Sequence, residues 1–234
     1  MMNQIFSIAL LRATLRMATP LILSGLGGAM TLHAGTINIA LEGMMLAGAF
    51  FAIVGSYMFS SWLAGVLFGV LAAVLIGLLY ALLVVDLKAD TFVIGIALNM
   101  FVLGGTIYLL RKMFGVKGAF SSPKIQTLPV LSLKFLNDSN VLSQLFGGYT
   151  LLVYIAFVCV IICSVLFYKT AFGLRLRAGG EHFAALDSVG VGSRKFKYLA
   201  YIGSGILCGL AGAHLSLGYL NSFTENMVAG NGFI

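Results

Sequence analysis

A stretch without a single charged side chain, from Gly43 to Val85, sets the strongest limit on what this sequence can fold into. A helix needs about 20 mostly apolar residues to cross the hydrocarbon core of a bilayer, so this stretch can supply two such helices. The whole chain has the same character, because 60% of its residues are hydrophobic and only 9% are charged. A soluble domain carries about 25% charged residues. The sequence therefore predicts an integral membrane protein.

Apolar stretches of spanning length recur along the chain. They predict about six spanning helices, at residues 14–33, 37–59, 62–85, 91–110, 149–168 and 198–220. We therefore expect an all-α fold, a polytopic transmembrane helix bundle that forms a single domain over residues 1–234. Two of the predicted connections are long, at residues 111–148 and 169–197.

The excess of positive charge, +7 for the chain, has a different meaning in a membrane protein than in a soluble one. Lys and Arg in loops set the topology and contact lipid headgroups, so no nucleic-acid partner is expected. With six alternating spans the basic residues divide evenly between the two sides. Those closest to span ends favour a cytoplasmic location for residues 169–197, which would leave residues 111–148 outside.

The second long connection concentrates charge and glycine between two apolar stretches. Residues 172–195 read FGLRLRAGGEHFAALDSVGVGSRK. Its glycines predict that the segment is not one continuous spanning helix; they are Gly173, Gly179, Gly180, Gly190 and Gly192. The residues between Gly180 and Gly190 suffice for about two helical turns. A short helix on the membrane surface, available to a soluble partner, and an ordinary solvated loop are both consistent with this pattern.

This segment resembles the cytoplasmic coupling segment of permease subunits in bacterial ABC importers. The resemblance is to the branch that serves ribose, other simple sugars, nucleosides and branched-chain amino acids. In that family the segment docks on the ATPase subunit. The positions that match its pattern, and that the resemblance therefore assigns to ATPase coupling, are Arg177, Ala178, Gly180, Glu181, Ala185, Gly190 and Val191.

A second patch, residues 17–50, resembles the first helix pair of the nucleoside-like members. The matching positions are Gly35, Asn38, Ile39, Leu41, Glu42 and Gly43. Two features depart from the family pattern. His182 and Phe183 stand where the family often has Asn-Pro, and family members continue for several helices beyond Ile234, so we expect the chain to be truncated at its C-terminus.

The resemblance implies a multi-pass subunit of the bacterial inner membrane that performs no covalent chemistry. No Gly-x-x-x-x-Gly-Lys-Ser/Thr loop is present, so ATP and Mg would be bound by a separate ATPase, and no cofactor or metal is expected in this chain. The other implied partners are a second permease subunit, in a homodimer or a heterodimer, and an extracytoplasmic substrate-binding protein. The implied substrate is a nucleoside or a simple sugar.

Polar side chains inside predicted spans are candidates for the translocation path, because a charged group at the bilayer centre is costly. Asn38 and Glu42 are four residues apart and would share a helical face. Alternatively, Asn38 caps that helix and Glu42 complements its dipole. Asn99 is mid-span and would contact either a polar substrate or a neighbouring helix. Gly205 and Gly209 have the spacing of closely packed membrane helices.

A different transport class, an ion-coupled secondary transporter of a small polar solute, is the main alternative. Such proteins are expected to show interior carboxylates and an internal repeat. This sequence has a single interior carboxylate candidate, Glu42, and no convincing repeat.

Overall fold

The computed structural model describes residues 8–131, 147–188 and 190–233. Within them the chain folds into eight α-helices: α1 (Ile8–His33), α2 (Leu41–Phe59), α3 (Trp62–Ala81), α4 (Thr91–Phe114), α5 (Leu151–Lys169), α6 (Ala171–Glu181), α7 (Phe183–Ser188) and α8 (Ser193–Ala213). Two π-helical segments continue α3 and α8, at Leu82–Asp86 and His214–Leu220, and a 3₁₀ turn covers Asn231–Phe233.

Five helical stretches of the described residues are long and apolar enough to cross a membrane, which confirms the predicted polytopic bundle. They are Leu41–Phe59, Trp62–Asp86, Thr91–Phe114, Leu151–Lys169 and Ser193–Leu220. The sixth predicted span corresponds to α1, which is long enough at 26 residues. It is not among the five stretches that are apolar enough to span, and it carries Arg12, Arg16 and Pro20.

Local side-chain chemistry explains where several helices begin and end. The Asp90 side chain accepts hydrogen bonds from the backbone N–H groups of Phe92 (2.9 Å) and Val93 (3.0 Å), so α4 begins with a satisfied N-cap. Gly115 ends the same helix at φ 67°, a left-handed conformation that favours glycine. Thr170 separates α5 from α6, and its hydroxyl oxygen accepts from the backbone N–H of Gly173 (3.2 Å).

The core of the molecule is built around α2, which packs against α3 and α8, while α8 also packs against α1. Glycines let these backbones approach closely. A Cβ atom on Gly69 would lie 2.6 Å from the Gly48 carbonyl oxygen, and one on Gly209 would lie 2.6 Å from the Cα atom of Val70. Gly205 likewise packs against Val74, with a Cβ-to-Cα distance of 2.8 Å. Both residues of the predicted Gly205/Gly209 pair therefore lie in helix contacts, as expected for helices in lipid.

The outer faces of α3, α4 and α5 expose large apolar side chains, including Leu75, Met100 and Ile161. In water such a surface would aggregate, whereas in a bilayer it is the surface that contacts lipid tails.

The bundle has two distinct ends. At the end that we call the strand end, β1 (Ala119–Phe120) pairs with β4 (Phe223–Thr224) and β2 (Val130–Leu131) pairs with β3 (Tyr149–Thr150), both antiparallel. The opposite end, which we call the α6–α7 end, contains α6, α7 and the beginning of α8. The described parts of the two predicted long connections thus lie at opposite ends of the bundle; residues 132–146 of the first connection lie outside the described part of the chain.

The helix predicted at residues 37–59 begins only at Leu41. Residues 34–40, which we call the connector, are not helical and join α1 to α2. The reason is that their backbone groups find partners outside a helix. The backbone N–H of Ala40 donates to the Asn38 side-chain oxygen (3.0 Å), and the carbonyl of Ile37 accepts from the Tyr80 hydroxyl (3.1 Å).

The prediction that residues 172–195 do not form one continuous helix is confirmed, although Gly173, Gly179 and Gly180 themselves lie inside α6. Two of them instead allow close packing with backbone outside their helix. A Cβ atom on Gly173 would overlap the carbonyl groups of Leu166 and Phe167, and one on Gly180 would overlap the carbonyl of His33. The described chain leaves helical structure at His182, which separates α6 from α7, and again at Gly190, whose φ is 81°.

Candidate coupling segment and polar connector

The α6–α7 segment presents small and charged side chains to the outside of the molecule. Ala178 and Glu181 of α6 are exposed, as are Ala184 of α7 and Gly190 in the turn that follows. Three of the seven residues that the resemblance assigns to ATPase coupling, Ala178, Glu181 and Gly190, are therefore available to a partner at this end.

Other residues of that set face the chain itself. Arg177 is half-buried, and its guanidinium lies over the ring of Tyr168 at 5.1 Å from the centroid. Val191 is half-buried and its backbone N–H donates to the Leu186 carbonyl (3.2 Å). Gly180 is also half-buried, against the end of α1. The Ala185 backbone belongs to α7, and its side chain lies outside the described part of the structure.

Helix α7 is tied to the beginning of α8 by two side chains. The Asp187 carboxylate accepts from the backbone N–H (2.8 Å) and from the hydroxyl (3.0 Å) of Ser193, so it satisfies the first turn of α8. The Lys197 ammonium lies 3.4 Å from the ring centroid of Phe183. Sequence reasoning missed this arrangement, because Asp187 lies six residues before Ser193, whereas a helix-start signal stands immediately before the helix.

The beginning of α8 is in turn tied to the end of α3. One carboxylate oxygen of Asp86 accepts from the Arg194 guanidinium (2.6 Å) and from the Tyr198 hydroxyl (2.7 Å). Because Asp86 ends the π-helical continuation of α3, these bonds join two of the packed core helices at the α6–α7 end.

The connector is held from several sides by side chains of other helices. Asn99 of α4 donates from Nδ2 to the Ile39 carbonyl (2.9 Å), and its Oδ1 accepts from the backbone N–H of Gly43 (2.8 Å). The Tyr80 hydroxyl of α3 lies between the carbonyls of Ile37 (3.1 Å) and Thr91 (3.0 Å). Of the two environments predicted for Asn99, the structure places it in contact with a neighbouring helix.

Asn38 lies within the connector and is buried, with 6% of its surface exposed. Its Oδ1 accepts from the backbone N–H of Ala40 (3.0 Å), and its Nδ2 donates to the Ser204 hydroxyl of α8 (3.4 Å). Because α2 begins after Asn38, the expectation that Asn38 and Glu42 share a helical face is wrong.

Glu42 lies in the first turn of α2, where a carboxylate complements the helix dipole. It is 8% exposed, and its two oxygens accept from the backbone N–H groups of Gly230 (2.9 Å) and Gly232 (2.7 Å). This carboxylate therefore fastens residues 230–232 to α2. Non-helical backbone at membrane depth is tolerated only where protein buries it or where it lines a cavity.

A cavity of about 200 Å³ lies beside the connector. It is lined by Gly28, Leu32, Ile37, Asn38, Ile39, Leu41 and Gly232. Of these lining residues, Asn38 is the one with a polar side chain. The three predicted polar candidates are therefore grouped around one break in the helices. Asn38 lines the cavity, and Asn99 and Glu42 hydrogen-bond the backbone of the lining residues Ile39 and Gly232.

Residues 8–131, 147–188 and 190–233 contain no cluster of side chains that could bind a metal ion. No group of three His, Cys, Asp or Glu side chains is positioned to hold a metal ion there. Cys159, Cys163 and Cys208 are all free thiols.

A bundle of apolar helices with a polar helix break inside and exposed charged residues at one end is typical of a multi-pass membrane protein. The comparison with known families agrees. The chain belongs to the family described as the permease component of branched-chain amino acid transport systems, whose family profile matches residues 10–234. It is accordingly a multi-pass protein of the inner membrane.

Individual proteins that are similar to this chain are named as permeases of ABC transporters. The chain is 34% identical to the guanosine ABC transporter permease protein NupQ of Bacillus subtilis, over 99% of this chain and 74% of the relative. It is 31% identical to the nucleoside ABC transporter permease protein NupC of Lactococcus lactis, over 93% of this chain and 70% of the relative. The chain is also 31% identical to TsgC13, a putative glucose ABC transporter permease protein of Haloferax volcanii, over 98% of this chain and 69% of the relative. No solved structure matches the chain.

These relatives are permease components of ABC transporters rather than catalytic subunits. The chain therefore has the role of an ABC transporter permease, and a permease component implies in general an ATPase and a substrate-binding partner.

Proposed function

We propose that this chain forms the translocation path of an ATP-driven importer, and that a separate ATPase docks on residues 172–195. The observation that carries the proposal is the exposed surface of the α6–α7 pair, which includes Glu181 and Ala184 at the end of the bundle opposite the strands. Its bonds through Ser193 and Asp86 connect that surface to α8 and α3. A push on the pair would therefore reach two core helices.

The proposed substrate is a nucleoside or a simple sugar, and a nucleoside is the first to test. Two of the relatives are named for guanosine or nucleosides and one for glucose. A nucleoside contains a sugar ring, so a path for either solute needs neutral hydrogen-bonding groups. The cavity beside the connector offers the Asn38 amide and no charged lining residue.

In this proposal the α6–α7 end faces the cytoplasm and the strand end faces outward. ATP and Mg are bound by the ATPase partner. A substrate-binding protein docks at the strand end, to which residues 115–131 and 147–150 belong. A second permease subunit, identical or related, completes the path between the two halves.

The docking surface is tested by co-purification of the ATPase with a tagged permease from membranes that contain both. In the Ala184→Glu variant, a charge and a longer side chain enter an exposed position of α7. The matched control is Ala119→Glu, the same change at an exposed position of β1 at the strand end.

We expect the parent chain and Ala119→Glu to recover the ATPase and Ala184→Glu to lose it, with equal membrane insertion of all three. Equal recovery with both variants would place the docking surface elsewhere. Absence of the ATPase from the inserted parent chain would contradict the coupling proposal itself.

A further inference from the structure

Two glycines from distant parts of the chain are in backbone contact beneath the α6–α7 segment. Gly180 lies near the end of α6, and Gly35 lies in the connector directly after α1. A Cβ atom on Gly35 would lie 2.7 Å from the Gly180 carbonyl oxygen and 2.9 Å from its Cα atom. A Cβ atom on Gly180 would overlap the His33 carbonyl and lie 3.0 Å from the Gly35 nitrogen. The two backbones therefore touch directly.

Neither position has room for another residue type. Gly35 has φ 77°, in the left-handed region that L-residues rarely adopt. The Phe183 ring closes the remaining side, 2.9 Å from the point that a Cβ atom of residue 35 would occupy. A contact between two backbones has no flexible side chain to absorb a displacement. A push of α6 toward this contact therefore moves residues 33–35 as well.

The connector transmits such a movement inward. Its carbonyls at Ile37 and Ile39 are bonded to Tyr80 and Asn99, and Asn38 reaches Ser204. Ile37, Asn38 and Ile39 are also part of the wall of the 200 Å³ cavity. Ile37, the first of these lining residues, follows Gly35 after a single intervening residue.

The bonds from α7 to α8 and from α8 to α3 reach the connector by a longer route, through Ser204 of α8 and Tyr80 of α3. The cavity is lined by residues of α1, the connector, α2 and the 3₁₀ turn, with none from α3 or α8. Of the described contacts made by the coupling segment, those of Gly180 and Phe183 with residues 33–35 lead most directly to the cavity.

We propose that Gly35 and Gly180 form a joint through which α6 moves the connector and so reshapes the cavity. Gly180 then acts inside the chain rather than on the ATPase surface, unlike exposed Glu181 next to it. This inference rests on the proposed function, because it requires an ATPase that displaces α6. Both glycines are positioning residues, since neither lines the cavity.

The test uses the complete transporter in membrane vesicles, with radiolabelled guanosine as the probe. ATPase recovery, ATP hydrolysis and guanosine uptake are measured for Gly180→Ala and Gly35→Ala. The control is Gly25→Ala in α1, where an added Cβ has no atom within 4 Å. We expect both joint variants to keep the ATPase and its hydrolysis but to lose uptake by about tenfold, within the range of allosteric coupling. The control should behave as the parent.

A loss of ATPase recovery in Gly180→Ala, with recovery retained in Gly35→Ala, would make Gly180 a docking residue and overturn the joint. Normal uptake in either variant would also overturn it. If the glycine variants fail to insert, Phe183→Leu decides, because it shortens the ring beside Gly35 without filling the contact. Reduced uptake per ATP hydrolysed supports the joint, and parental coupling refutes it. A parent complex without ATP-dependent uptake would instead refute the proposed function.

Discussion

At the scale of single residues, Asn99 shows how a polar side chain stabilises a helix to which it does not belong. The N-cap position of α2 is Ala40, whose side chain cannot accept a hydrogen bond. Asn99 of α4 supplies the missing acceptor for the Gly43 N–H and also satisfies the Ile39 carbonyl. It thus pairs two backbone groups at the helix break that have no helical partner.

Replacing Asn99 by Ala should destabilise the protein by about 1 kcal/mol, the usual cost of losing a helix cap and close to that of an interhelical bond in a membrane. The measurement is the free energy of unfolding in mixed detergent micelles. Thr106→Val is the control, since the Thr106 hydroxyl donates within its own helix, to the Leu103 carbonyl (3.0 Å). Equal stability of Asn99→Ala and the parent would show that Asn99 is not a cap.

The sequence identified Asn38, Glu42 and Asn99 as unusual, because polar groups are costly among apolar residues. It could not identify their partners. Their partners are mostly backbone N–H groups, which are free to bond a side chain only where the chain is not helical or where a helix begins. These groups belong to Ala40, Gly43, Gly230 and Gly232. A role for the three side chains in the translocation path stays a prediction.

At the scale of helices, glycines decide which elements form the core. Gly48 of α2, Gly69 of α3 and Gly209 of α8 meet where the three helices pack. A Cβ atom on Gly48 would lie 3.0 Å from the Gly209 Cα atom. Lipid gives no hydrophobic drive for helix association, so this close backbone packing is a main source of stability.

Gly209→Ala should therefore destabilise the bundle by about 1–3 kcal/mol through overpacking. Gly104→Ala in α4 is the matched control, because an added Cβ has no atom within 4 Å there. That control should be neutral or stabilising by about 0.4–1 kcal/mol, since alanine restricts the unfolded chain. Thermal unfolding of both purified variants gives the comparison, and a Gly209→Ala variant as stable as Gly104→Ala would contradict the packing described.

The sequence predicted helices well where apolar stretches were uninterrupted, as for α3, α4 and α5. Its glycines correctly predicted an interrupted segment at residues 172–195, but they did not show at which residues the helices end. Gly35 lies in a left-handed turn, whereas Gly173 and Gly180 lie in a helix that packs closely against neighbouring backbone. Glycine suits both situations for the same reason, the absence of Cβ, so only the packing distinguishes them.

At the scale of the whole molecule, the two ends are differently built. The strand end is closed by short strand pairs and by Arg12, which donates to the Gly147 carbonyl. The α6–α7 end carries the two short helices and the bonds around Asp86 and Ser193. Basic residues divide evenly between the two sides, so charge alone does not determine orientation. The placement of the α6–α7 end in the cytoplasm follows from its proposed role as the docking surface.

The most direct test of ATP-driven import is guanosine uptake by proteoliposomes that contain the complete transporter. The energy source is varied: ATP on the side of the α6–α7 end, a non-hydrolysable ATP analogue, or an imposed ion gradient without ATP. We predict that guanosine accumulates only with hydrolysable ATP and that a protonophore has no effect. Accumulation driven by the ion gradient alone, and abolished by the protonophore, would contradict ATP-driven import in favour of an ion-coupled transporter.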